Sequence, residues 1–383
     1  MARTRNPERR SRDRQPAAAR TVSSSATVAL PDPFALYRGG ALRGAQLAYE
    51  SWGRLNEARD NAILLFTGLS PSAHAAATEQ DPSPGWWQRM IGPNLALDTG
   101  RYFIVCVNSL GSCFGSTGPA SIDPATGERY GVSFPELAIE DIASAGYAAM
   151  RALGIERLAA VIGASLGGMS VIAFATQFPA AARRLVTISG SPAASPFAIA
   201  LRSVQREAIL RDPDWQGGHY SPDHPPRSGM RLARKLGTIT YRSAAELRQR
   251  FGREPIGGNA LQLSQFAPRY AIEAYLETQA ERFVRIFDPN CYLYLSSAMD
   301  RFDLAEHGGS FGAALRGVRS DSVLVIGVES DMLFPIQEQA AIAQAFEQNG
   351  LPTRFVRMPS LEGHDAFLVD IPRFGSELRG FLE

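Results

Sequence analysis

A serine in a glycine-rich turn is the residue of this sequence best placed to act as a nucleophile. Ser165 lies in Gly163-Ala-Ser165-Leu-Gly167, after the apolar run LAAVI and before the apolar segment GMSVIAFATQF. A strand, a tight turn and a helix are the context in which G-x-S-x-G raises a serine hydroxyl above a sheet. The pattern therefore predicts a nucleophile elbow, with the Leu166 N–H as one oxyanion donor. The alternative is an incidental glycine-rich turn, which the flanking strand and helix patterns disfavour.

A serine hydroxyl needs a histidine to take its proton and a carboxylate to orient that histidine. His364 lies near the C-terminus in EGHDAF, and Asp331 directly follows the apolar run SVLVIGVES. The order Ser165, Asp331, His364 is the chain order of α/β-hydrolase triads. Asp365 is the competing acid, but an immediate neighbour of His364 points elsewhere and suits substrate binding better. We therefore predict a catalytic triad of Ser165, Asp331 and His364.

The second oxyanion donor is expected after an earlier strand. The run AILLF ends at Phe66 and continues as Thr67-Gly-Leu-Ser-Pro71, so we expect a backbone N–H of the segment Phe66–Leu69, with Phe66 as the leading candidate. The sequence has no cluster of cysteine and histidine with metal-ligand spacing and no Walker-type phosphate loop. We therefore expect no metal and no bound cofactor.

Apolar runs without polar alternation predict strands that are covered on both faces. Such runs alternate with longer amphipathic stretches, for example a helix predicted over 134–153, opened by a capping-box spacing at Ser133 and Glu136. This rhythm predicts an α/β protein with the α/β-hydrolase fold, a mostly parallel, doubly wound sheet. The predicted strands are Leu47–Trp52, Ala62–Phe66, Tyr102–Val107, Leu158–Ile162, Leu185–Ile188, Ser322–Val328 and Thr353–Met358.

The rhythm breaks between residues 191 and 319, where arginine-rich helices alternate with Pro/Gly-rich loops. We interpret this segment as a helical lid inserted into a core of residues 28–190 and 320–383. Open α/β sheets bind ligands at the carboxyl edge of the strands, so the lid is expected over that edge. The predicted helices are Phe197–Leu210, Met230–Leu236, Ala244–Phe251 and Arg269–Phe287.

The first 27 residues are rich in arginine and nearly free of large aliphatic side chains, which predicts disorder. A transit peptide is the alternative, and Glu8 and Asp13 argue against it. The net charge of +1 gives no reason to expect a nucleic acid or an anionic membrane as partner. No apolar run reaches the ~18–20 residues of a membrane span. Three scattered cysteines suggest a reducing compartment, so a soluble cytoplasmic protein is predicted.

Long motifs of the sequence resemble those of a known enzyme family. The block WWQRMIGPNLALDTGRYFIVCVNSLGSCFGSTGPASIDPATG resembles the signature of homoserine O-acyltransferases of the α/β-hydrolase type, and GASLGGM, SDMLFP and GHDAFLVD resemble its three triad blocks. The likeness extends from about Pro31 to Glu383. It implies an enzyme that takes an acyl group from a CoA thioester onto serine and passes it to an amino-acid hydroxyl in a ping-pong reaction. It also implies a homodimer formed through the lid.

Within this family the chain is most similar to the members that use L-serine and succinyl-CoA. Homoserine enzymes commonly carry a Thr-Gly-Asp-Ser-His-like loop, whereas this chain has Thr67-Gly-Leu-Ser-Pro71. Gly68, Leu69, Ser70 and Pro71 are therefore predicted to form the loop that determines acceptor specificity. The segments REAILRDPDWQGGHY, RKLGTITYRS and FDPNCYLYLSSAMDRFDLAEH resemble the same subgroup.

The resemblance also implies three substrate-binding residues. The family's amino-acid-binding arginine falls on Arg234, whose guanidinium would bind an α-carboxylate through two hydrogen bonds, and Asp365 would hold the α-ammonium group. Arg202 occupies a position that is neutral in acetyl-using relatives, which suggests that it binds the free carboxylate of a succinyl group. A solvated lid arginine is the alternative for Arg234.

The sequence thus predicts an acyl-CoA-dependent O-acyltransferase with small-molecule substrates, which transfers succinyl from succinyl-CoA, or acetyl from acetyl-CoA, to the L-serine hydroxyl in cysteine biosynthesis. One alternative is a homoserine O-succinyl- or O-acetyltransferase of methionine biosynthesis. Another is an esterase or thioesterase on the same scaffold. A non-catalytic binding protein is disfavoured because all three triad positions are filled.

Overall fold

An eight-stranded sheet forms the centre of the computed structural model, which describes residues 23–256 and 266–383. Along the sheet the order is β1-β2-β4-β3-β5-β6-β7-β8, numbered here in chain order. The strands are β1 (Ser23–Ala29), β2 (Gln46–Trp52), β3 (Ala62–Phe66), β4 (Phe103–Val107), β5 (Leu158–Ala164), β6 (Ala182–Ile188), β7 (Ser322–Val328) and β8 (Thr353–Met358).

The six strands β3 to β8 run parallel, whereas β2 is antiparallel to both β1 and β4. Ala62, Leu64 and Phe66 of β3 belong to one apolar core, and Ile63 and Leu65 belong to the core on the opposite face. Successive side chains of a strand point to opposite faces, so a strand covered on both sides must be apolar throughout. The predicted fold class, a mostly parallel sheet with helices on both faces, is confirmed.

Helices cover both faces of the sheet and fill the connection between β6 and β7. They are α1 (Ile139–Ala152), α2 (Leu166–Gln177), α3 (Pro196–Leu210), α4 (Arg227–Thr240), α5 (Ala244–Phe251), α6 (Ala271–Val284), α7 (Pro289–Arg301), α8 (Phe311–Ala314), α9 (Ile336–Glu347), α10 (Ala366–Val369) and α11 (Ile371–Leu382). None of the helices in the described ranges is long and apolar enough to cross a membrane.

Strand β1 corrects the expectation that residues 1–27 are disordered. Ser23–Ala29 pair antiparallel with β2 along their whole length, and residues 1–22 lie outside the described part of the chain. An edge strand is held by main-chain hydrogen bonds and needs no large aliphatic side chain, so a composition argument misses it. The five residues at the end of the predicted tail are therefore part of the sheet.

The start of α1 is a second correction. The helix predicted over 134–153 begins only at Ile139, and Ser133 ends a short 3₁₀ turn in which its hydroxyl donates to the Tyr130 carbonyl. The capping carboxylate is that of Asp141, which accepts from the Ala138 N–H at 2.8 Å. The Ser133–Glu136 spacing is therefore not a capping box.

The segment between β6 and β7, residues 191–319, is called the helical segment below. Helix α5 agrees with its predicted bounds, α3 begins one residue earlier, α4 is longer at both ends and α6 is shorter. Helix α7 was not predicted. It is buried on nearly all sides and carries buried Asn290 and Ser296, so it shows no amphipathic period. Whether this segment acts as a lid stays a prediction.

Candidate active site

The turn between β5 and α2 holds Ser165 in a strained backbone conformation, with φ 59° and ψ −121°. A Cβ on Gly163 would lie 2.2 Å from the Gly167 carbonyl oxygen, and a Cβ on Gly167 would lie 2.5 Å from the Phe66 carbonyl oxygen. Only glycine fits at either position, because backbone atoms cannot move away as a flexible side chain can. This close approach of helix to sheet is the geometry of a nucleophile elbow.

Three side chains form a continuous hydrogen-bonded chain above the carboxyl ends of the strands. His364 Nε2 lies 2.7 Å from the Ser165 Oγ, and His364 Nδ1 lies 2.7 Å from Asp331 Oδ2. The other carboxylate oxygen of Asp331 accepts from the N–H groups of Leu333 and Phe334, each at 2.9 Å. The structure thus brings the three predicted triad residues together in the order required for proton transfer from serine to histidine.

The histidine is buried, and its surroundings favour the protonated form. Burial lowers the pKa of His364, but the charge of Asp331 and its hydrogen bond raise it by more, and the charge of Asp365 adds to this rise. The net pKa lies above the ordinary value for histidine. His364 is therefore a better proton acceptor than a free imidazole, and it acts as a base only at a pH above that raised pKa.

Backbone N–H groups near Ser165 can serve an oxyanion. Leu166 is the first residue of α2, and neither its N–H nor that of Leu69 donates to an acceptor within the described ranges. Phe66 is the last residue of β3. Its carbonyl lies against Gly167 of the elbow, and its ring is buried against α1. The segment Phe66–Leu69 thus lies beside the elbow, although Phe66 itself does not line the cavity described next.

Ser165 and His364 open into a cavity of about 660 Å³, part of which is open to solvent. One wall is the predicted acceptor loop, Gly68–Pro71, and the opposite wall comes from the helical segment. The remaining lining residues are Leu201, Arg202, Gln205, Thr240, Tyr241, Tyr292, Met299, Leu333, Asp365, Phe367 and Leu368.

Arg202 presents unpaired cationic groups to this cavity. Its side chain is only 4% exposed, and its Nε donates to Asp300 Oδ1 at 2.5 Å. The two terminal nitrogens of the guanidinium are buried and have no hydrogen-bond partner among the residues that the structure describes. Asp300 is also paired with Arg206 at 2.6 Å. Because unpaired buried donors are unfavourable, the two free nitrogens of Arg202 fit a ligand that brings its own carboxylate.

The two residues predicted to bind the amino acid are placed differently. Asp365 lines the cavity, beside His364. Arg234 does not line it: its guanidinium lies 4.5 Å from the ring centre of Phe283 and 5.7 Å from that of Tyr241, which does line the cavity. Within the described part of the chain Arg234 forms no ion pair, and its Nε is buried without a partner. Arg234 therefore contacts the cavity wall at Tyr241 without lining the cavity, and its charge still lowers the pKa of Asp365.

The sequence analysis missed two residues that fix the loop of His364. The Ser330 hydroxyl donates to the Ser360 carbonyl and accepts from the Gly363 N–H, and Arg242 Nη1 donates to Glu362 Oε2 at 2.7 Å. Both residues lie inside motifs that were singled out, Ser330 in SDMLFP and Arg242 in RKLGTITYRS, but nothing in a single sequence says which residue of a motif contacts the loop. Over the described residues no group of three or more His, Cys, Asp or Glu could hold a metal ion.

The chain is similar to known proteins over most of its length. Residues 61–371 match the α/β-hydrolase fold family. The chain is 55% identical over 356 residues to a serine O-succinyltransferase of Stenotrophomonas maltophilia, covering 93% of this chain and 96% of that protein. It is 52% identical over 356 residues to a serine O-succinyltransferase of Litchfieldella anticariensis, covering 93% and 97%.

A solved structure shows the same likeness at lower identity. The homoserine O-acetyltransferase of Bacillus anthracis superposes with a TM-score of 0.87 at 27% identity, covering 94% of this chain and 98% of that chain. These similarities confirm the family resemblance and the prediction of an acyltransferase. The chain belongs to the serine and homoserine O-acyltransferase family of α/β-hydrolase-fold enzymes.

Proposed function

We propose that this enzyme transfers a succinyl group from succinyl-CoA to the hydroxyl of L-serine through an acyl-enzyme on Ser165. The observation that carries the proposal is one cavity that contains both the Ser165–His364–Asp331 chain and the two unpaired guanidinium nitrogens of Arg202. The names of the relatives at 52–55% identity support the same donor and acceptor.

In the first half-reaction His364 takes the proton of Ser165 while the Oγ attacks the thioester carbonyl. The developing oxyanion is stabilised by the Leu166 N–H and a second N–H of the segment Phe66–Leu69. Collapse of the tetrahedral intermediate breaks the C–S bond, and the CoA thiolate leaves with the proton from His364. Asp331 stays ionised and stabilises the imidazolium that forms in between.

In the second half-reaction the amino-acid hydroxyl gives its proton to His364 and attacks the ester carbonyl of the acyl-enzyme. The new tetrahedral intermediate collapses with Ser165 Oγ as leaving group, which takes the proton back. Water entering at this stage would hydrolyse the acyl-enzyme, so the buried triad and the apolar lining of the cavity favour transfer over hydrolysis.

Succinyl differs from acetyl by a terminal carboxylate, and Arg202 supplies its partner. The guanidinium is held by Asp300 through Nε alone, which leaves both terminal nitrogens for a bidentate contact with a carboxylate. An acetyl group would leave these nitrogens unpaired. This difference favours succinyl-CoA as the donor.

Asp365 is proposed to bind the α-ammonium group of the acceptor, because its carboxylate lines the cavity next to the catalytic base. Arg234 is proposed to bind the α-carboxylate, because it has no ion-pair partner within the described ranges and lies directly behind Tyr241. Contact with the substrate would then require Tyr241 or Arg234 to change rotamer. The loop Gly68–Pro71 faces them across the cavity and is proposed to set the length of the acceptor.

The product, O-succinylserine, is an activated serine that would serve cysteine biosynthesis. The cytoplasmic location stays a prediction. One rival function is acylation of homoserine, since the solved structure named above is a homoserine O-acetyltransferase. Hydrolysis without an acceptor is a second rival, since an acetylester hydrolase of Corynebacterium glutamicum shares the fold at 26% identity with a TM-score of 0.77, covering 94% of this chain and 95% of that chain.

The decisive experiment measures CoA release with succinyl-CoA or acetyl-CoA, each with L-serine, with L-homoserine or with no acceptor. Succinyl-CoA with L-serine is expected to give the highest kcat/KM, and omission of the acceptor should stop turnover after one equivalent of CoA. Mass spectrometry should then find the acyl group on Ser165, and the variant Ser165→Ala should form no adduct. Continued turnover without acceptor would instead identify a thioesterase, and a preference for homoserine would overturn the acceptor assignment.

A further inference from the structure

The loop that carries His364 rests on the end of α4 and the start of α5. The Asp365 N–H donates to the Tyr241 carbonyl at 3.0 Å, and the Ser243 hydroxyl donates to the Leu361 carbonyl. A Cβ on Gly363 would lie 2.8 Å from the backbone carbon of Arg242, so the two backbones are in direct contact. The junction of α4 and α5 therefore forms the floor under the catalytic loop.

Arg242 is the charged side chain at this junction. Its Nη1 lies 2.7 Å from Glu362 Oε2, and its Nε lies 3.4 Å from Asp365 Oδ2. The two carboxylates flank His364 in the sequence, and the guanidinium joins them. A third carboxylate, that of Glu246, lies 3.9 Å from Nη1. The arginine side chain is only 13% exposed, so these interactions are little screened by solvent.

We propose that Arg242 is a positioning residue for the acceptor half-reaction, because it holds the Asp365 carboxylate in the orientation that faces the cavity. The inference rests on the proposed role of Asp365 in binding the α-ammonium group. The Asp365 carboxylate accepts no hydrogen bond from the described residues, and Arg242 Nε, 3.4 Å from Asp365 Oδ2, has no hydrogen-bond partner among them either. The ion pair with Arg242 is therefore the interaction that restrains this carboxylate. A carboxylate turned toward Arg242 through one oxygen keeps the other oxygen free for the substrate.

The electrostatic surroundings agree with this geometry. Burial raises the pKa of Asp365, and the charges of Arg242, His364 and Arg234, in that order, oppose the rise, whereas Asp331 adds to it. Arg242 thus contributes most to keeping the carboxylate ionised. An ionised Asp365 is required for binding an ammonium group.

The test separates the two half-reactions in the variant Arg242→Met. Acyl-enzyme formation, followed as CoA release without acceptor, is expected to slow by a smaller factor than the acceptor half-reaction, because the His364 loop loses its hydrogen bond from Arg242 to Glu362, whereas Ser165, His364 and Asp331 keep the hydrogen bonds among themselves. The KM for L-serine in the second half-reaction should rise about tenfold to a hundredfold, as expected when a charge-assisted contact to the substrate site is lost. Arg242→Lys should recover part of the loss, since an ammonium group can engage only one of the carboxylates at a time.

The control is Arg250→Gln. Arg250 is paired with the same Glu246 and lies on α5, but it forms no hydrogen bond or ion pair with the described residues of the His364 loop, so both half-reactions should stay unchanged. In an Asp365→Asn background, Arg242→Met should have no further effect on the KM for serine, because the carboxylate through which it acts is already gone.

Two results would overturn the inference. One is an equal slowing of both half-reactions in Arg242→Met and Arg242→Lys, which would mean that the arginine only supports the catalytic loop. The other is an additive effect in the Asp365→Asn background. If the wild-type enzyme forms no acyl-enzyme with any acyl-CoA, it is the proposed function that fails, so the two failures are distinguishable.

Discussion

Arg202 is the side chain on which the proposed succinyl donor can be tested. Its Nε is anchored to Asp300, and its terminal nitrogens are left without partners at the wall of the cavity. The variant Arg202→Asn is expected to lower kcat/KM with succinyl-CoA by about tenfold to a hundredfold, the equivalent of ~1.5–3 kcal/mol for a charge-assisted hydrogen bond. Activity with acetyl-CoA should be unchanged. Initial rates with the two donors test this.

A matched control keeps this prediction specific. Arg206 is the second cation on Asp300 but does not line the cavity, so Arg206→Gln should affect succinyl-CoA and acetyl-CoA alike. The variant Arg202→Lys should recover only part of the loss, because an ammonium group lacks the planar fork that matches a carboxylate. A parallel loss with both donors in Arg202→Asn would mean that Arg202 supports the helical segment or binds the CoA moiety instead.

The pH dependence of acylation reports on a second residue, Asp365. Burial lowers the pKa of His364, and Asp331 and then Asp365 raise it, so removal of the Asp365 charge must lower it. His364 accepts the serine proton only when it is neutral. The variant Asp365→Asn is therefore expected to move the acidic limb of acyl-enzyme formation to lower pH. The measurement is the CoA burst without acceptor as a function of pH, and a limb that moves upward or stays in place contradicts the prediction.

At the scale of elements, the elbow between β5 and α2 depends on backbone contact. Gly163→Ala would place a methyl group 2.2 Å from the Gly167 carbonyl oxygen, where no side chain can give way. We expect the free energy of unfolding to fall by about 1–3 kcal/mol or more and acyl-enzyme formation to be lost. Gly380→Ala on α11 is the control, because nothing lies within 4 Å of its Cβ position. Urea unfolding should show that variant as stable as the wild type or slightly more so. Equal stability of both variants would mean that the elbow tolerates a side chain.

The same elements show what a single sequence can predict. The bounds of β3 and β7 agree with prediction, because these strands are buried apolar runs that end sharply, and the bounds of β8, a partly exposed edge strand, agree as well. Strand β1 was missed because main-chain pairing at a sheet edge leaves little trace in composition. The start of α1 was misplaced because Asp141, inside the helix, caps it rather than Ser133. Local patterns therefore predict buried strands better than the ends of elements.

Some residues of the site could likewise be predicted from the sequence, and others could not. Ser165, Asp331 and His364 were found by residue type, by their places at strand ends and by chain order, and the structure joins them by two hydrogen bonds. Arg242 was missed because its role depends on a contact between the end of α4 and a distant loop. Its hydrogen-bond partner, Glu362, lies 120 residues later in the chain. The partner of a charged side chain at such a distance is set by packing, which no local pattern reveals.

At the scale of the whole molecule, the helical segment carries exposed apolar side chains on its outer surface. Val204 of α3 is 54% exposed and Leu232 of α4 is 60% exposed, and Phe197 and Ile239 extend the same two helices. Exposed apolar side chains grouped on neighbouring elements are typical of interaction surfaces. Helices α3 and α4 pack against each other, so the four side chains belong to one layer of the molecule. We propose that the predicted homodimer forms through this layer.

The double variant Val204→Asp, Leu232→Asp is therefore expected to be monomeric in light scattering at concentrations where the wild type is a dimer, since buried unpaired carboxylates are unfavourable in an interface. The control is Ile122→Asp, which changes an equally exposed apolar residue, 58% exposed, outside the helical segment. It should leave the oligomeric state unchanged. Ser165, Asp331 and His364 are joined by hydrogen bonds within one chain, so the monomeric variant should still form the acyl-enzyme on Ser165. A dimer that survives both substitutions would place the interface elsewhere, and a monomeric wild type would rule the interface out. A monomeric variant that cannot form the acyl-enzyme would show that the cavity needs the partner subunit to stay closed.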